Sequence, residues 1–312
     1  MYTVEISLLL FQEIVKLFLV MLMGFVLMRS GKLRPTDGKA VSIILVYIIL
    51  PCVIIHAFQI DATPQVKEGL LFAFLVSLAI HIVFIIFSKL LQPVFGLKPV
   101  ERVSMIYTNA GILIIPIITA LQGTDYVIYS CAYAAVQLTL LWTHGSHTMC
   151  EKGEVHFLAI FKNINIVSIA IGTLLFLLQI KIPPLIDQTM ASVGVMIGPV
   201  GMLITGMAIA DTDLKEIFWR FRNYVASALR LIACPLVIIA LCAVLPLTGL
   251  IHDGKAILMT VFICCITPTA AVVTSMAELY DQDASYSAEL CVLSTILSIV
   301  TMPLMLFIFN EI

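Results

Sequence analysis

Charged residues are scarce in this sequence. Of its 312 residues, 12% are charged and 61% are hydrophobic, and the mean hydropathy is +1.11. Soluble domains carry about 25% charged residues, so this composition excludes a soluble globular domain. The sequence also lacks any basic run long enough to bind nucleic acid. We therefore expect an all-α, polytopic membrane protein whose surroundings are the lipid bilayer and which has no nucleic-acid partner.

Patterns of catalytic and metal-binding residues are also missing. The eight cysteines form no CxxC pair and no metal-ligand spacing, so we interpret them as small apolar packing residues. No HExxH or GxSxG motif occurs, and no pair of aspartates lies at the centres of apolar segments. Asp211 and Asp213 lie at a predicted membrane edge, too close in sequence for a metal–diphosphate site. We therefore expect no enzyme activity, no catalytic residue, no metal and no cofactor.

What the sequence has in abundance is long apolar segments. A membrane-spanning helix needs about 20 largely apolar residues, and ten segments meet this requirement. The connections between them are short, and the longest polar one, residues 150–162, divides the chain in half. The ten predicted spans are 6–28, 38–59, 68–90, 101–121, 126–148, 163–180, 187–210, 221–246, 255–278 and 285–309.

The distribution of lysine and arginine predicts the orientation in the membrane. Twelve of these residues lie in the connections after predicted spans 1, 3, 5 and 7 or within two residues of them. The opposite side carries only Lys67, Lys181 and Lys255. Because cytoplasmic loops are enriched in Lys and Arg, the odd-numbered connections are expected in the cytoplasm. Both termini are then outside, and the expected location is the plasma membrane.

The two halves of the chain resemble each other in the placement of their prolines. Three landmarks in the first half recur about 150 residues later, each beside or within a comparable apolar segment. Each half contains five predicted spans, so consecutive halves insert with opposite orientations. We expect two inverted five-helix repeats, residues 1–149 and 163–312, which is an architecture typical of secondary transporters. The landmark pairs are Pro35 with Pro184, Pro51 with Pro199, and Pro116 with Pro268.

The fourth span of each repeat carries the residues on which a functional hypothesis can be built. Pro116 and Pro268 lie near the middle of predicted spans 4 and 9, where proline interrupts a helix. Half-helices that begin at such breaks direct the positive ends of their dipoles into one cavity, which suits an anion. The alternative is that the prolines are simple kinks and that Asn109 only joins helices. The candidate substrate-binding residues are Asn109, Gly111, Pro116, Gln137, Thr267, Pro268, Thr269 and Arg230.

Other polar residues inside the predicted spans leave alternatives open. Arg230 either extends towards the cytoplasm or acts as a counter-ion or gate. His81, at the equivalent position of the first repeat, either relays protons or packs as a neutral histidine. Glu13 and Lys16 are three residues apart in one helix and are expected to pair. Near the inner ends of spans 9 and 10, four carboxylates either solvate the interface or respond to coupling ions: Glu278, Asp281, Asp283 and Glu289.

These motifs resemble the auxin efflux carrier family, and the short central connection is similar to that of bacterial-type members. The similarity covers essentially the whole chain. It is carried by Asn109-Ala-Gly111, by Ile115-Pro116 and by Thr267-Pro268, together with the residues that follow in spans 9 and 10. The resemblance implies that the fourth helices of the two repeats cross at their prolines. It also implies that helices 3–5 and 8–10 move like an elevator against a scaffold of helices 1, 2, 6 and 7, usually in a homodimer.

The family resemblance also implies the class of substrate. Members transport organic anions, such as small mono- or dicarboxylates or auxin-like acids. We therefore expect a secondary active transporter, with coupling to protons or sodium left open. The alternative is a membrane-embedded sensor that binds the anion without translocating it. A channel is disfavoured because the sequence contains neither a ring of charge nor a carbonyl-rich filter.

Overall fold

The computed structural model describes residues 2–109, 113–150, 163–210, 214–245 and 247–311. Gly111, Asp211, Asp213 and residues 151–162 of the predicted central connection therefore lie outside the described residues. Within the described ranges the secondary structure is helical, and the one β feature is an isolated antiparallel bridge between Thr108 and Thr269. The prediction of an all-α protein is confirmed.

In the first half of the chain, helices run from the N-terminus to Met149 with short connections. Two of them are extended by π-helical turns, Leu45–Ile49 and Leu141–Gly145. The helices are α1 (Tyr2–Arg29), α2 (Pro35–Ile44), α3 (Leu50–Ala57), α4 (Pro64–Phe95), α5 (Pro99–Ile106), α6 (Ile114–Gln122), α7 (Val127–Leu140) and α8 (Ser146–Met149).

The second half is built in the same manner. A π-helical turn, Leu229–Ala233, joins two of its helices into one longer segment. The helices are α9 (Ile164–Leu178), α10 (Pro184–Gly194), α11 (Ile197–Ala210), α12 (Leu214–Trp219), α13 (Phe221–Ala228), α14 (Cys234–Val244), α15 (Gly254–Cys265), α16 (Val272–Leu279) and α17 (Ala284–Asn310).

Seven helical segments of the described chain are long and apolar enough to cross a membrane, which makes this a multi-pass membrane protein. Predicted spans 4, 6 and 9 are not among them. Span 6 corresponds to the 15-residue helix α9, and spans 4 and 9 are each divided into two short helices. The ten-span inverted repeat therefore remains a prediction. The seven segments are Phe11–Arg29, Asp37–Ala57, Pro64–Phe95, Thr124–Met149, Pro184–Ala210, Phe221–Val244 and Ala284–Asn310.

Prolines account for two of the π-helical turns. Leu45–Ile49 precedes Pro51, and Leu229–Ala233 precedes Pro235. A proline lacks the backbone N–H that would bond the carbonyl of the preceding turn, and its ring crowds that carbonyl. Widening the preceding turn relieves this conflict without ending the helix, as local π adjustments do in membrane helices.

The helices pack in two groups. In the first, α1 lies along α11, and α3 packs against α9 and α10. In the second, α4 packs against α7 and α15, while α17 packs against α13, α14 and α16. The groups meet where α1 lies along α17 and where α6 contacts α1 and α11.

Small residues allow the close approach of α1 and α11. A Cβ atom added at Gly24 would lie 2.3 Å from the backbone oxygen of Leu203. This distance is far below van der Waals contact, so the two helices touch through their backbones. Close approach at small residues is the usual basis of helix association in membranes.

Two expectations about polar residues can be compared with the structure. Glu13 and Lys16 form the predicted ion pair, with 2.6 Å between Nζ and Oε1. Of the four predicted carboxylates, Asp283 caps α17 by accepting a hydrogen bond from the N–H of Tyr286 at 2.9 Å. Glu289 is buried, and the Glu278 side chain lies outside the described part of the chain.

Candidate functional site

Two interrupted helices meet at the centre of the second group. The α5 helix ends at Ile106, and the next helix, α6, begins at Ile114. Likewise, α15 ends at Cys265 and α16 begins at Val272. Each interruption contains an extended backbone segment.

The extended segments pair with each other in antiparallel fashion. The N–H of Asn109 donates to the carbonyl oxygen of Pro268 at 2.8 Å. The N–H of Ala270 donates to the carbonyl oxygen of Tyr107 at 3.1 Å. These bonds satisfy backbone groups that the helices leave free, as is required away from water. The structure thus pairs residues 107–109 with residues 268–270. We call this paired region, which contains Asn109 and Pro268, the crossing.

The two prolines occupy different positions relative to the breaks. Pro268 lies within the extended segment between α15 and α16. Pro116 instead lies in the first turn of α6, so the first interruption precedes it. Proline is tolerated in a first turn because the N–H groups there have no helical partner. The sequence therefore indicated the right region but not the residue at which this helix breaks.

Gln137 of α7 is bound to the crossing through its whole amide group. Its Oε1 accepts hydrogen bonds from the N–H of Thr108 at 2.9 Å and from Thr108 Oγ1 at 2.7 Å. Its Nε2 donates to the carbonyl oxygen of Thr108 at 2.7 Å. Gln137 thus supplies the backbone partners that a third strand would supply.

The two threonines beside Pro268 also direct their hydroxyl groups to backbone carbonyls. Thr267 donates to Cys264 at 2.9 Å, and Thr269 donates to Ser104 at 3.1 Å. Both threonines are buried. These hydroxyl groups therefore hold the ends of the interrupted helices rather than projecting into an open space.

Arg230 lies in the π-helical turn and joins the two interrupted helices. Its guanidinium donates to the carbonyl oxygen of Met105 at 3.1 Å, to that of Thr267 at 2.8 and 3.1 Å, and to that of Cys265. The side chain is 1% exposed and lies over the Phe84 ring at 5.6 Å. The Arg230 side chain therefore does not extend to the surface of the protein, as the first of its two predicted alternatives required.

The carbonyls that Arg230 binds are at the negative ends of two helix dipoles. Met105 is in the last turn of α5, while Cys265 and Thr267 are at the end of α15. Each helix terminus is equivalent to about half an elementary charge. One guanidinium therefore offsets the two C-terminal ends, and the N-terminal ends of α6 and α16 are left as the positive contributions at the crossing.

Asn109 differs from the other polar residues of the crossing. It is half-buried, and its side-chain amide makes no hydrogen bond within the described part of the chain. Its backbone N–H, by contrast, is held by Pro268. The Asn109 side chain is therefore available to a ligand in a way that the side chains of Gln137, Thr267 and Thr269 are not.

A cleft of about 540 Å³ lies between the two groups of helices. On one side it is formed by α6, including the first-turn residue Pro116. On the other side it is formed by α1, α3, α10 and α11. Most lining residues are apolar. Together the residues of the described chain that line it are Leu17, Val53, His56, Ala57, Gln59, Ile60, Ile115, Pro116, Thr119, Ala120, Thr124, Asp125, Val127, Ala191, Gly194, Val195, Ile197, Gly198 and Pro199.

The charged and titratable groups of the cleft are at its rim. His56 pairs with Asp187 of α10, with 2.7 Å between Nδ1 and Oδ1. Asp125, which also lines the cleft, is exposed. No lysine or arginine is among the described lining residues. Sequence reasoning missed His56, because a single histidine in an apolar segment gives no signal of the partner that the fold brings to it.

A comparison with known proteins decides the family. The sequence model of the membrane transport protein family, which contains the auxin efflux carriers, matches residues 9–158 and 148–306. The chain belongs to this family. The predicted membership and the predicted role in transmembrane transport are thereby confirmed, and members of the family are transporters rather than enzymes. No curated protein matches the chain.

This membrane transport protein also contains a polar cluster of which sequence reasoning identified only Glu289. Glu101 at the start of α5 is 2% exposed and accepts hydrogen bonds from Tyr286 at 2.6 Å and from Arg222 at 2.7 Å. Nearby, Glu289 accepts from Asn223 at 2.9 Å and pairs with Arg220 at 3.0 Å. The cluster joins the beginnings of α5, α13 and α17 and so fixes the first half-helix of the crossing.

Proposed function

We propose that this protein is a secondary active transporter that carries a small organic anion across the plasma membrane by elevator-like alternating access. The family establishes a membrane transport role, and the proposal adds the class of substrate and the mechanism. The observation that carries it is the crossing of the two interrupted helices. Arg230 is bound there to the C-terminal ends of α5 and α15, which precede the two interruptions.

The electrostatics of the crossing favour an anion. Arg230 offsets the negative ends of the α5 and α15 dipoles. The positive ends of the α6 and α16 dipoles are the contributions that remain at the crossing. Together they amount to about one positive charge. A carboxylate placed there would be stabilised, and its neutral amide would not.

The same contacts favour a monocarboxylate over a dicarboxylate. A second carboxylate needs a second cationic partner, and the guanidinium of Arg230 already donates to three carbonyl groups. The described lining of the cleft provides no lysine or arginine and is largely apolar. We therefore propose a monocarboxylate with an apolar body as the preferred substrate, with Asn109 as a hydrogen-bonding ligand.

The arrangement of the helices supports the elevator-like motion. The crossing belongs to one group of helices, and the cleft separates part of that group from the other. Across this boundary, Pro116 of α6 approaches Gly198 of α11 so closely that an added Cβ would lie 2.9 Å from Pro116 Cγ. A contact between a glycine and a proline ring has no long side chains that interlock, so one group of helices can slide against the other. The homodimer suggested by the family resemblance remains a prediction.

Counterflow into sealed proteoliposomes tests the proposal. Labelled phenylacetate should enter vesicles preloaded with unlabelled phenylacetate, and protein-free vesicles correct for passive leak. Unlabelled phenylacetate should compete, malonate should compete weakly and phenylacetamide should not compete. Equal competition by phenylacetate and phenylacetamide would contradict the electrostatic argument. Saturable binding of phenylacetate without counterflow would instead support the sensor alternative.

The proposed orientation, with both termini outside, has its own test. In a cysteine-free background, single cysteines at Lys152 and Lys181 are exposed to a membrane-impermeant thiol reagent in intact cells. We expect labelling of position 181 and not of position 152, because Lys and Arg are concentrated on the side of Lys152. The opposite pattern would reverse the orientation.

A further inference from the structure

A buried histidine lies directly behind the crossing. His81 of α4 has no exposed surface, and its ring lies 4.9 Å from that of Tyr133 and 6.2 Å from that of Tyr107, measured between centroids. Tyr107 belongs to the paired backbone of the crossing. The histidine is therefore one side chain away from the proposed substrate site.

The hydrogen bonds of His81 determine which ring nitrogen carries hydrogen. Nδ1 lies 2.7 Å from the carbonyl oxygen of Ser77. A carbonyl can only accept, so Nδ1 is the donor and a neutral ring has its lone pair on Nε2. That nitrogen is buried and makes no hydrogen bond of good geometry within the described chain, although the Gln137 side chain lies close to the ring. The same is true of the Tyr133 hydroxyl, which lies beside Thr108. A buried acceptor without a partner is costly, and the cost is removed when a proton or a donor binds.

The surroundings of His81 disfavour a positive charge on its ring, because the ring is buried. Arg230 lies over the ring of Phe84 at 5.6 Å, and Phe84 is one helical turn from His81 in α4, so a positive charge is already close to the histidine. The other titratable groups that face the ring are the tyrosines 107 and 133. A second positive charge beside Arg230 is unfavourable until a negative charge arrives. A substrate carboxylate at the crossing would supply that charge.

We propose that His81 binds a proton together with the substrate anion, at Nε2, so that the carrier moves an acid as anion plus proton. This inference rests on the proposed function, because the anion is what makes the protonated ring favourable. Binding of the two ligands is then reciprocal: the anion raises the affinity for the proton, and the proton raises the affinity for the anion by the same factor.

Calorimetric titration of the purified protein with phenylacetate tests this coupling. The heats are measured at one pH in phosphate and in Tris, which have different heats of ionisation, so their difference counts the protons taken up. We expect net proton uptake when phenylacetate binds, and a dissociation constant that rises with pH between about pH 5.5 and 7.

The variant His81→Gln removes the proton acceptor but retains an amide N–H that can donate to Ser77. We expect it to bind phenylacetate with almost no proton uptake and with a dissociation constant that no longer depends on pH. The control is His147→Gln, which changes an exposed histidine and should behave like the unmodified protein. Thermal unfolding shows whether each variant is folded.

The possible outcomes separate this inference from the proposed function. Binding of phenylacetate without proton uptake by the unmodified protein would overturn the role of His81, even if the variant does not fold. Undiminished proton uptake by folded His81→Gln would also overturn it. Failure of both phenylacetate and malonate to bind would contradict the proposed function, and this inference with it.

Discussion

Gly206 of α11 lies directly against the backbone of α1 at Met21. A Cβ atom built on Gly206 would be 1.9 Å from the carbonyl oxygen of Met21 and 2.8 Å from the backbone nitrogen of Phe25. No rotation of a side chain can relieve such a contact, because both neighbouring atoms belong to the backbone. The packing of α1 on α11 therefore depends on a glycine at this position.

We predict that Gly206→Ala strongly lowers the thermal stability of the purified protein. The helices must separate to admit the methyl group, and overpacking of this kind costs about 1–3 kcal/mol or more. The control is Gly38→Ala in α2, where the added Cβ would meet only the flexible end of the Met207 side chain at 3.3 Å. Equal unfolding temperatures for the two variants would show that α1 and α11 are not packed as described.

Arg230→Gln should destabilise the protein and should weaken the binding of mono- and dicarboxylates to the same extent. The reason is that the guanidinium is bound to carbonyls of α5 and α15, and each buried carbonyl left without a donor costs about 1–3 kcal/mol. The measurements are thermal unfolding and the binding of phenylacetate and malonate. Lys32→Gln removes an exposed charge and is the control. Selective loss of malonate binding would instead identify Arg230 as a ligand of a second carboxylate.

Gln137→Met should destabilise the crossing without changing the size of the side chain appreciably. The N–H and carbonyl groups of Thr108 would lose the partners that Gln137 provides. Each buried polar group left unsatisfied costs about 1–3 kcal/mol. Chemical unfolding measures the loss, and Gln188→Met, at an exposed position, is the matched control. Unchanged stability would mean that Thr108 finds other partners.

Asn109→Ala should weaken substrate binding while leaving stability unchanged. The side-chain amide has no hydrogen-bond partner in the described chain, so its removal leaves no protein group unsatisfied. If it binds the carboxylate, the loss is about 1–3 kcal/mol, or roughly 5- to 150-fold in the dissociation constant of phenylacetate. Thr139→Ala, at an exposed hydroxyl of α7, is the control. Unchanged affinity in a folded Asn109→Ala protein would remove this residue from the site.

Several features followed from the sequence because they depend on local chemistry. The scarcity of charge determined that the chain lies in a membrane. The spacing of Glu13 and Lys16 predicted their ion pair, since residues three apart share a helix face. The apolar segments carrying Pro116 and Pro268 indicated where helices are interrupted, and the motifs around them indicated the family. In each case the deciding contacts are between residues close together in the chain.

The tertiary structure decided the roles of the polar residues, because their partners are distant in sequence. From its sequence position alone, Arg230 was equally compatible with the cytoplasmic interface and with a gate; only the fold brings it between Met105 and Cys265. Gln137 likewise needs Thr108 of another helix before its function as a backbone partner is visible. In an apolar interior each such group must find a partner. Which partner it finds depends on how the helices pack, and no local pattern contains that information.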